Sequence, residues 1–217
     1  MIVTIDGPAG AGKSSVTRLL AKELGFEFLD TGAMYRAVTW CAVDRKMDLT
    51  DEPGLCELAK TIKIEFDGES VFVNGQEVTD EIRDPDITRQ VVHIANAESV
   101  REHLVELQRR IADTGDFVSE GRDQGTVAFP NAFCKIFLTA SSQARALRRV
   151  DQMKERGDFV DFDQVLREQE TRDHQDTTRK VGRLVQADDA VEVNTDHHTL
   201  EEVLVMLEKI VREKMAS

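Results

Sequence analysis

The feature that most constrains this chain is a short glycine-rich segment near its start. Residues 7–14 read GPAGAGKS, which matches the pattern GxxxxGK[ST]. The segment directly follows the apolar run Ile2–Asp6 and precedes a helical pattern over residues 15–24. In that context glycines let backbone N–H groups turn inward, and the helix N-terminus adds partial positive charge. The sequence therefore predicts an α/β fold that opens with a phosphate-binding loop.

Lys13 and Ser14 are the two chemically distinctive side chains of this loop. In the motif, the lysine reaches the β- and γ-phosphates of a nucleoside triphosphate and the following hydroxyl binds Mg²⁺. The complete spacing and the placement argue against a glycine-rich turn without a ligand. Contacts with the donor phosphates are expected from Gly7, Pro8, Ala9, Gly10, Ala11, Gly12, Lys13, Ser14 and Ser15.

Short β-rich runs alternate with helical patterns along the rest of the chain. Strands are predicted at Ile2–Asp6 and at residues 26–30, 117–120, 135–138 and 190–194. Helices are predicted at residues 15–24, 99–112, 142–155, 162–174 and 200–214. Most of the strands are largely apolar, as strands buried on both faces are. We predict an α/β doubly wound fold, a five-stranded parallel sheet with helices on both faces.

One stretch, residues 61–79, departs from this alternation of strands and helices. Apolar and polar residues alternate there around the sequence Asp-Gly-Glu at 67–69. That pattern is typical of an antiparallel hairpin, which here suggests an insertion into the parallel fold. With 217 residues and no repeat or linker composition, we expect a single domain over residues 1–217 and a monomer.

Composition narrows the class of partner. The net charge of −13 opposes general binding to nucleic acid or to an anionic membrane, since both depend on a basic surface. The chain carries no apolar run long enough to span a membrane and no basic leader, so we expect a cytoplasmic protein. Three cysteines without CxxC or metal-ligand spacing favour reduced thiols. An anionic small ligand must therefore bind where cations are locally concentrated.

Polar side chains follow two of the predicted strands. Asp30 and Thr31 end the second strand and can cap the next helix, while Arg36, one turn in, can reach an anionic acceptor. Arg122 and Asp123 follow a buried strand between glycines and can hold one phosphate and one base amine. The alternatives are a helix cap followed by a surface arginine, and a tight turn with a surface charge pair.

Two helical patterns carry cations at spacings of three and four residues, which place them on one face. The first contains Arg145, Arg148 and Arg149, and the second contains Arg172, Asp176 and Arg179. A solvated basic face and an intrahelical salt bridge remain alternatives. Phosphoryl transfer, however, spreads negative charge that lysine, Mg²⁺ and arginines compensate. Without the NKxD motif of GTPases or the DE pair of motor ATPases, the sequence favours a small-molecule kinase.

Five ordered segments resemble the bacterial cytidylate kinases. That family carries IDGPxGxGK, LDTGAMYR, GRDxGT, KxFLxAS and RDxxDxxR, which stand here at residues 5–13, 29–36, 121–126, 135–141 and 172–179. The resemblance spans nearly the whole chain and implies transfer of the γ-phosphoryl group of ATP, with Mg²⁺, to CMP or dCMP. It also implies a nucleotide-acceptor insert at about residues 60–95 and a mobile lid at about residues 149–180.

The resemblance assigns roles residue by residue. Catalysis would fall to Lys13, Arg122, Arg145, Arg149 and Arg179. The acceptor phosphate would be held by Arg36, Arg122 and Arg179, the cytosine by Arg101 and Asp123, and the ribose by Arg172 and Asp176, with Thr31 positioning the nucleotide.

Three departures from the family pattern are visible. Val92 stands where the family usually has a serine near the cytosine, and Gln124 replaces a hydrophobic residue. Residues 182–184 read GRL instead of APL. Val92 offers no side-chain donor or acceptor to a base. Phosphorylation of UMP or another small acceptor is therefore the alternative activity, and a non-catalytic nucleotide-binding regulatory protein is the alternative outside enzymes.

Overall fold

The computed structural model describes residues 1–155, 157 and 159–216. These residues divide into two compact units. The first comprises Met1–Leu29 and Thr114–Ser217, and the second comprises Asp30–Asp113. In the described part of the chain, no helix is long and apolar enough to cross a membrane.

The elements are numbered in chain order. The strands are β1 (Ile2–Asp6), β2 (Glu27–Asp30), β3 (Ile64–Asp67), β4 (Ser70–Val73), β5 (Gln76–Glu77), β6 (Phe117–Gly121), β7 (Cys134–Thr139) and β8 (Val191–Asn194). The helices are α1 (Lys13–Leu24), α2 (Thr31–Asp44), α3 (Glu52–Thr61), α4 (Pro85–Asn96), α5 (Glu98–Ala112), α6 (Ser142–Glu155), α7 (Phe162–Thr178) and α8 (Leu200–Met215). A 3₁₀ helix (Glu81–Arg83) precedes α4, and a π-helical turn (Gln124–Ala128) follows β6.

The first unit is built on a five-stranded sheet in the order β2-β6-β1-β7-β8. The pairings of β1 with β6, β1 with β7 and β7 with β8 are parallel, and Asp6 lies opposite Gly121 and Phe137. The predicted α/β class and five-stranded parallel sheet are confirmed. Because the carboxyl ends of parallel strands meet at one edge, the loop after β1 and the turn after β6 start side by side.

The core of this unit lies between the sheet and helices α1 and α8. Ile5 and Ile136 on the sheet, Leu20 on α1 and Leu207 on α8 are fully buried in one cluster. Burying an aliphatic side chain of this size contributes roughly 1.5–3 kcal/mol. The sheet is therefore a rigid base for the loops at its carboxyl edge.

The second unit contains α2 to α5 and a small antiparallel sheet in the order β3-β4-β5. The predicted hairpin is confirmed, with Gly68 in the left-handed region at φ 58° between β3 and β4. A third strand, β5, pairs with β4 and was not predicted. Asn74 and Gly75 both have positive φ and form the two-residue turn into β5, the strongest local hairpin signal. Aspartates 30, 51 and 84 cap α2, α3 and α4.

Candidate active site

The segment after β1 forms a tight loop that runs directly into α1. Gly7 packs so closely on β7 that a Cβ there would collide with the carbonyl oxygen of Leu138. Gly12 has a left-handed φ of 87° and is the N-cap residue that directly precedes α1. Side chains larger than hydrogen are thus excluded at Gly7 by space and disfavoured at Gly12 by conformation.

Lys13 is the buried cation of this loop, with only 6% of the residue exposed. Its Nζ donates hydrogen bonds to the carbonyl oxygens of Gly7 at 2.8 Å and Pro8 at 2.7 Å. Ser14 and Ser15, the next two residues in the first turn of α1, are exposed. The lysine is therefore held across the loop, where its ammonium can exchange carbonyl acceptors for an anion.

Both positively and negatively charged side chains act on Lys13. Burial lowers the pKa of Lys13 well below its ordinary value, and Arg122 and Arg172 lower it further, while Glu120 and Asp6 act in the opposite direction. The two arginines therefore lie near the lysine in the same unit. A site that gathers cations in this way binds an anion favourably.

Asp6, the last residue of β1, is a buried carboxylate beside this loop. Its Oδ1 accepts the backbone N–H of Gln124 at 2.9 Å, and its Oδ2 accepts that of Gly125 at 2.7 Å. Burial raises the pKa of Asp6 to about 6 even though these two hydrogen bonds lower it. The aspartate is thus ionised at neutral pH and holds the turn that follows β6.

Arg122 begins the segment after β6 and is linked to α7. Its Nε donates to Oδ2 of Asp176 at 2.6 Å, and its Nη1 donates to the carbonyl of Gly121 at 3.2 Å. The other oxygen of Asp176 pairs with Nη2 of Arg179. One buried carboxylate therefore orients two of the arginines that the sequence analysis assigned to the acceptor phosphate.

Gln124, a polar residue where the resembling family has an apolar one, is 1% exposed. Its side-chain oxygen accepts the hydroxyl hydrogen of Ser119, which lies on β6, at 2.8 Å. A buried amide is tolerated when it is hydrogen-bonded, so Ser119 accounts for the polar residue at this position. Asp123, directly before it, is buried as well.

Arg145 of α6 is buried against the loop after β1. Its Nε donates to the carbonyl of Ala140 at 2.9 Å, and its Nη1 donates to the carbonyl of Ala9 at 2.9 Å. Its guanidinium also forms a two-point ion pair with Asp173 of α7. Gln169 of α7 donates to the same Ala9 carbonyl at 2.7 Å. Helices α6 and α7 therefore both hold the tip of the loop.

The three clustered arginines of α6 are directed to different surroundings. Arg145 is buried, whereas Nη1 of Arg148 donates to the hydroxyl of Thr195 at 3.0 Å and its Nη2 donates to the Thr195 carbonyl. Arg149 is exposed. The predicted lid at residues 149–180 includes residues 156 and 158, which lie outside the described residues.

In the second unit, residues 30–36 form the cap and the first turns of α2. Oδ1 of Asp30 accepts the backbone N–H of Ala33 at 2.7 Å, so this residue is the predicted helix cap. Thr31 is buried. Nη2 of Arg36 lies 3.3 Å from Oδ2 of Asp30, and the arginine side chain is 22% exposed. Arg36 is therefore oriented by the carboxylate that caps its own helix.

Arg101 of α5 is also buried in the second unit. Its guanidinium lies over the Tyr35 ring, 5.2 Å from the ring centroid, and Nη1 donates to the carbonyl of Ala95 at 3.2 Å. Val92 of α4 is half-buried.

Three polar residues of the first unit were not predicted as site residues from the sequence: Asp6, Glu120 and Gln169. Asp6 and Glu120 lie at the carboxyl ends of buried strands, a position where open α/β sheets build sites, and that signal was available in the sequence. Gln169 carried no such signal because its contact with Ala9 joins residues 160 positions apart.

A parallel sheet whose first strand runs through GxxxxGKS into a helix, with a buried lysine among arginines, defines a P-loop phosphotransferase. The model of the family described as "Cytidylate kinase" matches residues 3–213. The chain therefore belongs to the cytidylate kinase family, and the predicted resemblance is confirmed.

Individual relatives agree with this assignment. A cytidylate kinase of Rhodopirellula baltica is 47% identical over 98% of this chain and 93% of its own length. One of Pelotomaculum thermopropionicum is 49% identical over 94% of this chain and 93% of its own length. Among solved structures, an uncharacterized protein of Eubacterium ventriosum shares the fold, with a TM-score of 0.55 at 10% identity and 98% of both chains covered.

Proposed function

We propose that the protein transfers the γ-phosphoryl group of ATP to CMP or dCMP, giving ADP and CDP or dCDP. The observation that carries this proposal is the group of cations around Lys13. In a chain of net charge −13, Lys13 is buried in the loop and Arg145 donates to the Ala9 carbonyl of the same loop. The charges of Arg122 and Arg172 also lower the pKa of Lys13. Transfer between two phosphates needs such a field, because charge spreads over the transferred oxygens. The relatives named cytidylate kinases support cytidylate as the acceptor.

On the donor side, we propose that Lys13 exchanges the carbonyls of Gly7 and Pro8 for the β- and γ-phosphates of ATP. Both hydrogen bonds are formed within the loop, so the ammonium needs no large movement to reach an anion there. Backbone N–H groups of residues 7–15 surround the phosphates, and the start of α1 adds its partial charge. Arg145 and Arg149 of α6 belong to the same catalytic set in this proposal.

Mg²⁺ fits the residues that the loop offers. Ser14 presents an exposed hydroxyl in the first turn of α1. In the described part of the chain, no three His, Cys, Asp or Glu residues are grouped as a metal cage. The Ser14 hydroxyl suits an ion that keeps several waters and binds through one or two protein groups plus substrate phosphates. When bound, the ion neutralises charge on the β- and γ-phosphates.

For the acceptor, we propose that Arg122 and Arg179 bind the 5′-phosphate, Asp123 the cytosine, and Arg172 and Asp176 the ribose. The shared carboxylate of Asp176 supports the phosphate assignment, because it already orders both guanidinium groups. Preordered donors lose less conformational entropy on binding.

In the second unit, we propose Arg36 for the same phosphate, Arg101 for the base and Thr31 for positioning the nucleotide. Residues 60–95 would form the acceptor insert and residues 149–180 the lid, within a single monomeric chain. We further propose that the protein is a cytoplasmic enzyme of pyrimidine nucleotide metabolism and that it has no nucleic-acid or membrane partners.

A coupled assay of ADP release across several acceptors tests the activity. CMP, dCMP, UMP, AMP and shikimate are each offered with Mg·ATP, and Lys13→Ala protein purified in parallel reports contaminating kinases. We expect turnover with CMP and dCMP well above the others. Turnover fastest with UMP would favour the alternative kinase activity. ATP binding without turnover of any acceptor would favour a regulatory protein.

A further inference from the structure

Asp6 has no part in the roles assigned so far, although it lies directly before the phosphate-binding loop. It is 5% exposed, and each of its oxygens accepts one backbone N–H from a segment 118 residues further along the chain. A buried carboxylate is costly unless it is hydrogen-bonded, so its presence here calls for a reason.

The two N–H groups that Asp6 binds belong to Gln124 and Gly125, the first residues of the π-helical turn. The N–H groups at the start of a helical turn have no partner within that turn, and a carboxylate supplies one. Asp6 therefore caps this turn from the neighbouring strand. The residues immediately before the turn are Arg122 and Asp123.

The turn is also fixed by close packing and by a second hydrogen bond. A Cβ on Gly125 would lie 3.1 Å from the Thr4 hydroxyl and 3.2 Å from Cδ of Lys135, so the turn lies directly on β1 and β7. The Gln124 side chain is bonded to Ser119 on β6. Three adjacent strands thus define where the turn lies, and Asp6 contributes two hydrogen bonds to its backbone.

We propose that Asp6 is a positioning residue for the acceptor nucleotide, which acts by capping the turn that carries Arg122 and Asp123. The inference rests on the roles proposed for those two residues. The ionised carboxylate is the stronger acceptor for both N–H groups, since protonation turns one of its oxygens into a donor with less acceptor capacity. The groups whose charges act on Asp6 are Asp123 and Lys13.

Asp6→Asn is the direct test, because the amide keeps the shape but replaces one acceptor oxygen by an NH₂ group. We expect KM for CMP to rise about tenfold or more, the effect of losing one well-oriented charged contact, and KM for ATP to change less than about threefold. Asp188→Asn is the matched control, because it is the same substitution at an exposed aspartate of the same unit. It should leave both constants unchanged.

Hydrogen exchange measured by mass spectrometry supplies a readout independent of turnover. Residues 122–128 should exchange faster in Asp6→Asn than in the wild type, and at the wild-type rate in Asp188→Asn. If Asp6→Asn does not fold, Gly125→Ala provides a second test. Its Cβ displaces the turn from β1 while Asp6 remains intact, and we expect the same selective rise in KM for CMP.

Arg122→Ala separates this inference from the proposed function. A raised KM for CMP in Arg122→Ala, with no change in folded Asp6→Asn, would overturn the positioning role and leave the proposed function standing. An unchanged KM in Arg122→Ala would overturn the assignment of Arg122 and with it this inference. Equal increases in KM for CMP and ATP in Asp6→Asn would show that Asp6 acts on the phosphate-binding loop instead.

Discussion

Asp176 and Arg122, which are 54 residues apart in the chain, are joined by a 2.6 Å hydrogen bond from Nε to Oδ2. Asp176 lies on α7 and also pairs with Arg179, so one buried carboxylate holds guanidinium groups from two separate segments. Guanidinium donates in a planar fork, and fixing that plane sets the direction of the remaining N–H groups. The carboxylate therefore orders the two arginines relative to each other.

Asp176→Asn should weaken binding of both CMP and dCMP, because Arg122 and Arg179 lose their shared counterion. If Asp176 also contacts the ribose 2′-hydroxyl, kcat/KM for CMP should fall further than that for dCMP, by roughly 1 kcal/mol or about fivefold. Steady-state kinetics with both acceptors provide the measurement.

Asp163→Asn is the control for this prediction, since Asp163 is exposed on the same helix. Equal losses for CMP and dCMP in Asp176→Asn would argue against the ribose contact. A loss confined to CMP would argue against coupling through the arginines.

Lys13→Ala should lower kcat by several orders of magnitude while the protein remains folded. The ammonium acts on charge that develops in the transition state, a contribution that one preorganised donor commonly makes at about 10²–10³-fold or more. Lys22→Ala, an exposed lysine on the same helix, should behave as the wild type. Single-turnover kinetics and circular dichroism separate chemistry from folding, and a near-normal kcat in folded Lys13→Ala would remove the lysine from the mechanism.

Arg36→Ala should raise KM for CMP far more than KM for ATP, since the arginine is proposed to bind the acceptor phosphate. The expected loss is about 1.5–3 kcal/mol, the range for a hydrogen bond to a charged group. Arg89→Ala is the matched control, because Arg89 is exposed in the same unit and pairs only with Asp86 among the contacts described for it. Similar increases for both substrates would place Arg36 on the donor side.

Local patterns in the sequence were sufficient for the fold class, but they did not predict helices α3 and α4. The strand, loop and first helix follow from apolar periodicity and glycine spacing over residues 2–24, and repetition of the unit implies a parallel sheet. The hairpin at residues 61–79 was predicted in the same way. Its third strand was missed, although Asn74-Gly75 gives a local signal of the type I′ turn.

The contacts that orient the site side chains could not be predicted because they join distant positions. The bond between Arg145 and the Ala9 carbonyl spans 136 residues, and the bonds of Asp6 span 118 and 119. Helical spacing predicted one common face for the arginines of α6, whereas their side chains have different surroundings. It could not show that Arg145 is buried by Asp173, a residue of another helix, while Arg149 is exposed.

The stability of the protein should depend on pH through Asp6, with a sign opposite to that of most carboxylates. Its pKa is raised from 3.8 to about 6 in the folded state. The contribution of the raised Asp6 pKa to the free energy of unfolding is fully present below pH 3.8. It is lost as the pH rises through about 6. A shift of this size corresponds to about 3 kcal/mol.

Because asparagine does not titrate, the free energy of unfolding of the wild type relative to Asp6→Asn should decrease between pH 4 and pH 7. Urea unfolding at several pH values measures this difference. Asp48→Asn is a control of opposite sign, since the hydroxyl and N–H of Thr50 lower the pKa of exposed Asp48. A difference that stays constant with pH would mean that the pKa of Asp6 is not raised in the folded protein.

Val92→Ser should raise the ratio of kcat/KM for CMP over UMP. Val92 is half-buried on α4 and offers no donor or acceptor, whereas the family pattern has serine near the base. One restored base hydrogen bond is worth roughly 1 to 3 kcal/mol of discrimination.

Asp123 can accept from the cytosine amino group, so Asp123→Asn should erode the preference that remains. Val92→Thr, which adds a hydroxyl at nearly constant volume, should change the ratio in the same direction as serine. If serine and threonine both leave the ratio unchanged while Asp123→Asn collapses it, Val92 packs away from the base and Asp123 alone distinguishes cytosine from uracil.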